Sequence, residues 1–276
     1  MNIGLLTAPF GKAARFEEIA RWAAHAGFNA LEVTTGPGGH LTAAEVLPDD
    51  GKKVKKILDE TGLHISSLAY YNLFNWTDGV EAYCRNMKEA ITMTQILKAD
   101  ALCTFVGMPA PGKSKIQTIR ENAPAVFNPL IQEAEKRKVK IAFENWYETN
   151  LQHLDCFQAV TEVFPQPNVG FNFDPSHLAR QGIDYLAAVM EFKDRIFHTH
   201  AKDVAMIESK RSRCGTLSND WWEFAIPGYG MISWGEYIRA LRICGYDGVL
   251  SIEHEDRAFN PKEGFEKGLR FLSALV

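Results

Sequence analysis

Eight short runs of apolar and β-branched residues recur along this chain of 276 residues, and longer amphipathic stretches separate them. A short apolar run between turn-forming residues is typical of a buried strand, whereas apolar residues three and four positions apart are typical of a helix that packs on a core. Regular alternation of the two predicts βα units on a parallel sheet. The predicted strands cover residues 3–8, 30–34, 64–69, 101–106, 139–143, 169–173, 196–200 and 249–252.

The number of predicted strands selects the type of sheet. Eight strands with intervening helices, one of them expected over residues 116–138, predict a closed α/β barrel, the (β/α)8 or TIM barrel, as a single domain over residues 1–276. A doubly wound sheet is disfavoured, because the turn after the first strand, residues 8–12, lacks the glycine-rich phosphate-binding pattern. The predicted seventh βα loop, residues 203–232, is much longer than such loops usually are, and we expect it to cover a site.

Composition and charge exclude several classes of protein. The formal charge is −4 at pH 7, from 34 acidic and 30 basic residues, so there is no basic field to attract nucleic acid or anionic lipid. Charged residues near the N-terminus, such as Lys12, Arg15 and Arg21, are unlike a signal peptide, and no apolar run is long enough to span a membrane. Five scattered cysteines without a CxxC pair argue against a disulfide framework. We therefore expect a cytoplasmic protein without nucleic-acid or membrane partners, and the sequence leaves a homo-oligomer open.

Metal-ligand residue types occur at the ends of four consecutive predicted strands. Glu144 follows the fifth strand, Asp174 follows the sixth, His200 ends the seventh and Glu253 follows the eighth. The carboxyl ends of barrel strands form one rim, so these side chains are expected to converge there. One carboxylate after a strand is often a helix cap or a solvated residue, but four ligand types in succession favour a common site.

The predicted cluster contains three carboxylates, which repel one another and raise one another's pKa unless a cation neutralises them. Oxygen ligands with one imidazole suit Mn²⁺ or Mg²⁺, and they are also compatible with Co²⁺ or Zn²⁺. The sequence therefore predicts that one divalent metal is bound by Glu144, Asp174, His200 and Glu253.

Other polar residues of the rim are candidates for contact with a substrate. His177 lies on the loop after the sixth strand, where we expect it to bind a substrate hydroxyl. His198 faces the same way as His200, one layer deeper, and is either a hydrogen-bonded core histidine or a substrate contact. Lys202 either steadies a developing oxyanion or forms a salt bridge with Asp203.

Two further residues are candidates for substrate binding. Trp146 follows the fifth strand, and its ring either packs on the C–H face of a sugar or belongs to the core or to a subunit contact. Arg213, with Arg211 near it in the long loop, is compatible with an acidic substrate. The acidic segment 254–256 disfavours a phosphoryl group, so a neutral or oxidised sugar, a cyclitol or a glycoside is favoured.

Motifs at the strand ends resemble those of a known family. They are Phe143-Glu144-Asn145, Asp174-Pro175-Ser176-His177, His198-Thr199-His200-Ala201-Lys202-Asp203 and Ser251-Ile252-Glu253-His254-Glu255-Asp256. These look like the xylose isomerase-like TIM barrels, and within them like the sugar phosphate isomerase/epimerase group. That group includes ketose 3-epimerases, inosose dehydratases and hydroxypyruvate isomerases. The resemblance covers essentially the whole chain.

The resemblance implies roles for individual residues. The family's substrate-hydroxyl histidine falls on His177, and its acid/base pair falls on the two glutamates of the predicted cluster. Its metal ligands fall on Glu144, Asp174, His200 and Glu253. The chain departs from the ketose 3-epimerases, which have an arginine shortly after the seventh-strand histidine, because the nearest candidates here, Arg211 and Arg213, lie farther along.

Such a site predicts chemistry next to a carbonyl group. A divalent metal that holds a carbonyl and its neighbouring hydroxyl acidifies the α-hydrogen and stabilises an enediolate. Return of the proton to the other face epimerises a sugar, return to the adjacent carbon isomerises it, and loss of a β-oxygen dehydrates or cleaves it.

From this chemistry we expect a metal-dependent isomerase or epimerase of a ketose, cyclitol or keto-glycoside, with Glu144 and Glu253 as catalytic residues. The alternative is a dehydratase or lyase that acts on an inosose or a 3-keto-glycoside through the same site. An endonuclease IV-like DNA repair enzyme is a remote alternative, because Lys202-Asp203-Val204-Ala205 stands where that family has Asp-x-His.

Overall fold

The chain folds as a closed barrel of parallel strands, in agreement with the prediction. The computed structural model describes all residues from 1 to 276. Its strands are β1 (Asn2–Leu6), β2 (Ala30–Thr34), β3 (His64–Tyr70), β4 (Ala101–Thr104), β5 (Ile141–Glu144), β6 (Val169–Phe173), β7 (Ile196–Ala201), β8 (Asp203–Met206), β9 (Trp222–Ala225) and β10 (Val249–Ile252). Strands β1 to β7 pair in chain order, and β10 closes the barrel between β7 and β1. The fold is therefore a single-domain (β/α)8 barrel.

Helices surround the barrel, and all of them except α10 contain buried residues. They are α1 (Phe16–Ala26), α2 (Ala43–Val46), α3 (Lys52–Thr61), α4 (Val80–Leu97), α5 (Lys115–Glu121), α6 (Ala123–Lys136), α7 (Leu154–Val163), α8 (Pro175–Ala179), α9 (Tyr185–Glu191), α10 (Glu208–Cys214), α11 (Trp234–Ile243) and α12 (Pro261–Ser273). In α3, Val54 and Leu58 are buried four positions apart, which is the spacing of one helical face. None of the helices is both long enough and apolar enough to cross a membrane.

Alternation along the strands decides which side chains face the barrel interior. In β6, Phe171 and Phe173 point outward and pack on Phe157 of α7, with ring centroids 4.7 and 6.1 Å from it. Asn172 therefore faces inward, and Asp174, two residues later, lies on the same side. The same alternation in β7 turns every second residue toward the interior.

Several predicted elements differ from the structure in their bounds, most of them by one or two residues at an end. The helix expected over residues 116–138 is two helices, α5 and α6, because Pro124 in the first turn of α6 has no N–H to continue the hydrogen-bond ladder of α5. The strand expected over 139–143 begins later, at Ile141. The N–H of Val139 still bonds to the carbonyl of Ala134, which closes the end of α6.

Residues 203–232, which the sequence predicts to be a long loop, fold into an excursion with its own elements. Strands β8 and β9 pair antiparallel, and α10 lies between them. Asp203 holds the base of the excursion, because its carboxylate accepts hydrogen bonds from the N–H groups of Gly228 and Ile232 and from Nε1 of Trp234. Gly230 passes so close that a Cβ there would lie 2.2 Å from the Oδ1 atom of Asp203, so glycine is required.

Candidate metal centre

Four side chains meet at the carboxyl ends of adjacent barrel strands. Glu144 ends β5, Asp174 follows β6, His200 lies in β7 and Glu253 follows β10, and these strands are neighbours in the barrel in that order. One ligand atom from each side chain lies within 4.8 Å of all the others. The structure thus brings together the four residues that the sequence predicts to be metal ligands.

The imidazole of His200 lies at the centre of the cluster. Its Nδ1 atom is 2.9 Å from Oε2 of Glu253, 3.4 Å from Oε1 of Glu144 and 3.8 Å from Oδ2 of Asp174. His200 and Asp174 are completely buried, and the side chain of Glu253 is the most accessible of the four at 13% exposure. Solvent therefore has little access to the cluster, and most of that access is at Glu253.

Asp174 divides its two carboxylate oxygens between two tasks. Oδ1 caps α8 and accepts hydrogen bonds from the backbone N–H of Ser176 at 2.7 Å and from its hydroxyl at 2.6 Å. Oδ2 points into the cluster and accepts no well-aligned hydrogen bond, and Nδ1 of His200 makes none, although Nζ of Lys202 lies 3.1 Å from the first atom and Oε2 of Glu253 lies 2.9 Å from the second. Coordination of a divalent cation would satisfy both atoms, so these residues fit such a cation.

Without a cation, protons and ammonium groups balance the carboxylates. Burial alone would lower the pKa of His200, but the carboxylates of Glu32 and Glu144 outweigh it and hold the pKa well above its usual range. Burial raises the pKa of Glu144 to about 7. Burial also acts to raise the pKa of Glu253, yet Lys202 outweighs it and lowers that pKa to about 2. A metal ion that binds here replaces protons that the cluster would otherwise hold.

Glu32 orients the central imidazole from below. Its Oε2 atom lies 3.0 Å from Nε2 of His200 and accepts a hydrogen bond from the Ser251 hydroxyl at 2.7 Å. Its Oε1 atom accepts a hydrogen bond from the Tyr71 hydroxyl at 2.9 Å. A carboxylate that accepts a hydrogen bond from Nε2–H keeps the proton on that nitrogen and leaves Nδ1 free to ligate a metal. The sequence analysis missed Glu32; the available signal was a glutamate between Leu31 and Val33 in the middle of an apolar strand.

His198 lies one layer deeper and is hydrogen-bonded on both sides of its ring. Nδ1 is 2.9 Å from Oδ1 of Asn172, and Nε2 is 3.1 Å from Oγ of Ser66. Burial lowers its pKa to about 4, so the ring is neutral. Of the two alternatives that the sequence leaves open, the geometry is that of a core histidine.

Lys202 lies against the cluster and does not bridge Asp203. Its Nζ atom is 2.6 Å from Oε2 of Glu253, 3.1 Å from Oδ2 of Asp174 and 3.2 Å from Nε2 of His177. Asp203 is the next residue of an extended segment, so it points to the opposite side and holds the excursion instead. The alternative prediction, a salt bridge between Lys202 and Asp203, is therefore wrong.

His177 lies beside the ligand atoms. Its Nε2 atom is 3.6 Å from Oδ2 of Asp174 and 4.0 Å from Oε1 of Glu144, and the ring packs under Phe224 with centroids 5.3 Å apart. Burial lowers its pKa to about 3, which keeps the ring neutral. A neutral imidazole here can exchange hydrogen bonds with a substrate hydroxyl.

Two predicted contacts lie farther from the cluster. Trp146 is half-buried at the rim and packs on Phe105, with ring centroids 5.3 Å apart. Arg213 is exposed on α10, as is Arg211, which pairs with Glu208. The structure does not bring Arg213 to the cluster, because the segment that the sequence predicts to be a loop is a solvent-facing helix.

A cavity of about 600 Å³ opens beside the cluster. Glu255 connects the two, because it lines the cavity and its Oε2 atom lies 3.4 Å from Nζ of Lys202. The sequence analysis did not select several polar residues of the cavity wall. The lining residues are Tyr147, Ile207, Lys210, Asn219, Asp220, Trp222, Glu223, Phe224, Glu255 and Arg257.

Half-buried aromatic rings form a continuous arc around the rim, from the end of β3 to the excursion. Each ring contacts the next, with centroids between 4.7 and 6.2 Å apart. Such faces pack well on the C–H surfaces of a sugar ring. In order, the rings belong to Tyr71, Phe105, Trp146, Tyr147, Trp222 and Phe224.

Fold and site together define a (β/α)8 barrel with a donor set for a divalent cation at the carboxyl ends of four adjacent strands. The model of the xylose isomerase-like TIM barrel family matches residues 20–275. The chain belongs to this family.

Similarity to curated proteins extends over nearly the whole chain. An uncharacterised protein of Bacillus subtilis (strain 168), YfiH, is 25% identical over 298 aligned positions, which cover 95% of each chain. The inosose dehydratase of Salmonella typhimurium is 25% identical over 287 positions, which cover 96% of this chain and 90% of that protein.

Solved structures share the same fold. The probable 3-DHS dehydratase AsbF of Bacillus anthracis superposes with a TM-score of 0.79 at 17% identity and covers 99% of both chains. The IolI protein, which has a bound zinc atom, superposes with a TM-score of 0.77 at 18% identity. A D-tagatose 3-epimerase-like protein superposes with a TM-score of 0.76 at 20% identity. Each of the two superpositions covers 100% of this chain and 98% of the other chain. At these identities the likeness shows the fold alone.

Proposed function

We propose that this protein is a divalent-metal-dependent isomerase or epimerase that removes a proton next to the carbonyl of a sugar or cyclitol. The observation that carries the proposal is the converging set of Glu144, Asp174, His200 and Glu253, in which two buried ligand atoms form no well-aligned hydrogen bond. The class of sugar isomerases, epimerases and dehydratases agrees with the family and with the inosose dehydratase relative. We propose Mn²⁺ or Mg²⁺ as the ion, with Co²⁺ or Zn²⁺ as alternatives, because three of the four ligands are carboxylates.

Glu144, Asp174, His200 and Glu253 would hold the divalent cation, which would supply Lewis acidity toward a substrate carbonyl. The proton is moved by Glu144 and Glu253. These carboxylates approach the imidazole of His200 from β5 and from the end of β10, which are separated in the barrel by β6 and β7. A substrate carbon held between them presents one face to each carboxylate, as epimerisation requires.

Lys202 and His177 are proposed to hold the substrate oxygens. The ammonium of Lys202 is buried and within 3.2 Å of His177, so both groups can reach one polar substrate atom above Asp174. A fixed positive charge at a developing oxyanion stabilises it without reorganisation. His177 would accept or donate a hydrogen bond at the neighbouring hydroxyl.

A dehydratase or lyase that acts on an inosose or a 3-keto-glycoside is a second candidate. The additional carboxyl group of Glu255 favours it, because this residue lies at the cavity beside Lys202, where it can exchange a proton with a leaving oxygen. The inosose dehydratase relative agrees with this candidate. An endonuclease IV-like activity is not proposed, because the four-residue cluster has a single histidine and the net charge is −4.

The remaining functional expectations are also part of the proposal. Trp146 would pack on the substrate from the aromatic arc, while Arg213 would act only on a substrate that extends to α10. We propose a cytoplasmic enzyme that acts on small molecules and has no nucleic-acid or membrane partner, since its net charge is −4 and no helix could cross a membrane.

Solvent exchange tests the proposal before the product is known. Metal-loaded protein is incubated in D2O with ketoses, inososes and 3-keto-glycosides, and NMR reports deuterium next to the carbonyl as well as any new product. We expect exchange with at least one substrate class, none with Asp174→Asn, and full exchange with the surface control Asp155→Asn. A metal-loaded protein that exchanges none of them would contradict the proposal.

A further inference from the structure

Arg180 is a buried arginine without an acidic partner. The residue is 9% exposed, forms none of the ion pairs of the structure, and its Nε atom has no hydrogen-bond partner. A buried guanidinium is normally paired with a carboxylate, because the loss of hydration is otherwise uncompensated. Arg180 follows α8, close to the metal cluster but outside it, and the proposed reaction gives it no task.

Two aromatic rings replace the missing carboxylate. The guanidinium carbon of Arg180 lies 3.8 Å from the ring centroid of Tyr147 and 3.8 Å from that of Trp222. Because the two ring planes are nearly perpendicular, at 84°, the guanidinium cannot lie flat on both rings; it fills the corner between them, with its positive charge close to both. The two rings also contact each other edge to face, with centroids 5.9 Å apart.

The two aromatic residues belong to different parts of the molecule. Tyr147 lies on the loop after β5, which is part of the barrel rim, and Trp222 begins β9 of the excursion. Hydrogen bonds tie the excursion to the barrel mainly at its base, through Asp203 and through the bond from the N–H of Ile226 to Asp256. The contact of Arg180 with both rings is a tie near the other end of β9.

Strand β9 covers the cluster. Trp222 packs on Phe224 with centroids 4.9 Å apart, and the ring of Phe224 lies 4.5 Å from Nζ of Lys202 and 5.3 Å from the ring of His177. A shift of Trp222 would therefore move the ring that separates Lys202 and His177 from solvent.

We propose that Arg180 is a positioning residue that fastens β9 over the metal cluster through cation–π contacts with both Tyr147 and Trp222. Opening of these contacts admits substrate and releases product. The second statement rests on the proposed function, whereas the fastening does not.

Hydrogen–deuterium exchange of the full-length, metal-free protein tests the fastening. Peptides that cover residues 203–225 are compared in wild type, Arg180→Met and Arg180→Lys. Loss of two cation–π contacts should speed exchange in β8 and β9 on the order of tenfold in Arg180→Met. Arg180→Lys keeps the charge without the broad planar guanidinium that reaches both rings, and its exchange should lie between wild type and Arg180→Met.

Matched variants separate the cation–π contacts from general damage. Tyr147→Phe keeps the ring face and should exchange like wild type, while Tyr147→Leu should resemble Arg180→Met. Lys262→Met removes a remote cation beside Trp22, 5.7 Å from its ring, and should leave the excursion unchanged. If circular dichroism shows that Arg180→Met does not fold, the exchange rates of Arg180→Lys and Tyr147→Leu test the fastening instead.

Wild-type exchange rates in Arg180→Lys and Tyr147→Leu would overturn the proposal. Unchanged exchange in the excursion with a raised KM for acidic substrates alone would also overturn it and would place Arg180 against a substrate carboxylate. Because exchange needs neither metal nor substrate, failure of the proposed function leaves this result intact. If a substrate is found, Arg180→Met should lower kcat/KM on the order of tenfold and Arg180→Lys should restore part of the loss.

Discussion

The Nε2 atom of His200 lies 3.0 Å from the Oε2 atom of Glu32, at the base of the four-residue cluster. Glu32 is completely buried and also accepts hydrogen bonds from Ser251 and Tyr71, so its position is fixed from three sides. Burial acts to raise its pKa, but the adjacent histidines His200 and His198 outweigh burial and lower the pKa to about 2. A permanently charged carboxylate therefore sets which imidazole nitrogen faces the cluster.

Replacement of this carboxylate should weaken metal binding. We expect Glu32→Gln to bind Mn²⁺ about 10- to 100-fold more weakly than wild type, because the amide no longer fixes the tautomer of His200. Isothermal titration calorimetry measures the change, with the exposed Glu45→Gln as a control. An unchanged Kd in a folded Glu32→Gln protein would show that Glu32 has no part in orienting the imidazole.

Stability of the metal-free protein should depend on pH through Glu144. Its folded pKa of about 7 lies above the ordinary value of 4.5, so the folded state holds a proton that the unfolded state has released between these values. The stability that this proton contributes is complete below pH 4.5 and is lost as the pH rises through 7, on the order of 3 kcal/mol in total.

Urea unfolding with EDTA present checks this expectation. Glu144→Gln removes the titration, so its free energy of unfolding should exceed that of wild type by more at pH 8 than at pH 5. Equal differences at the two pH values would show that Glu144 is not protonated in the folded metal-free protein. The exposed Glu148→Gln serves as the control beside it.

The two proposed proton carriers should fail in different ways. Glu144→Gln and Glu253→Gln each keep an oxygen that can touch the metal but lose the base, so turnover should fall at least about a hundredfold while some metal binding remains. One variant should still exchange solvent deuterium with a single epimer without converting it, because each glutamate serves one face. Full recovery of both variants in excess Mn²⁺ would leave them as ligands only.

The excursion should matter more for turnover than for folding. Helix α10 has no buried residues, so replacement of Glu208–Cys214 by a short turn removes little packing. We expect a thermal midpoint within a few degrees of wild type and a fall in kcat/KM or a change in substrate preference. An intact barrel with unchanged activity and specificity would count against a role for α10 in the site.

Strand ends were predictable because they are local features. A buried strand is recognised from its own residues, and the side chain that follows it must lie on the rim, so Glu144, Asp174, His200 and Glu253 could be selected without a structure. The bounds of β6 are those predicted from sequence.

Other residues act through partners distant in sequence. Glu32 matters because β2 and β7 face each other across the barrel interior, which no local pattern records. Arg180 depends on the path of the excursion, which brings Trp222 back to the rim. The position of Arg213 relative to the cluster likewise depends on this path, since α10 exposes it to solvent.

The divided carboxylate of Asp174 has a consequence for how the centre is assembled. One oxygen starts helix α8, so the position of the other is determined when the polypeptide folds, before any ion arrives. The entropy of arranging this ligand is thus lost during folding and not during coordination. We therefore expect the barrel to behave as a preformed chelator, whose scaffold stays folded when a divalent ion is removed or replaced by another.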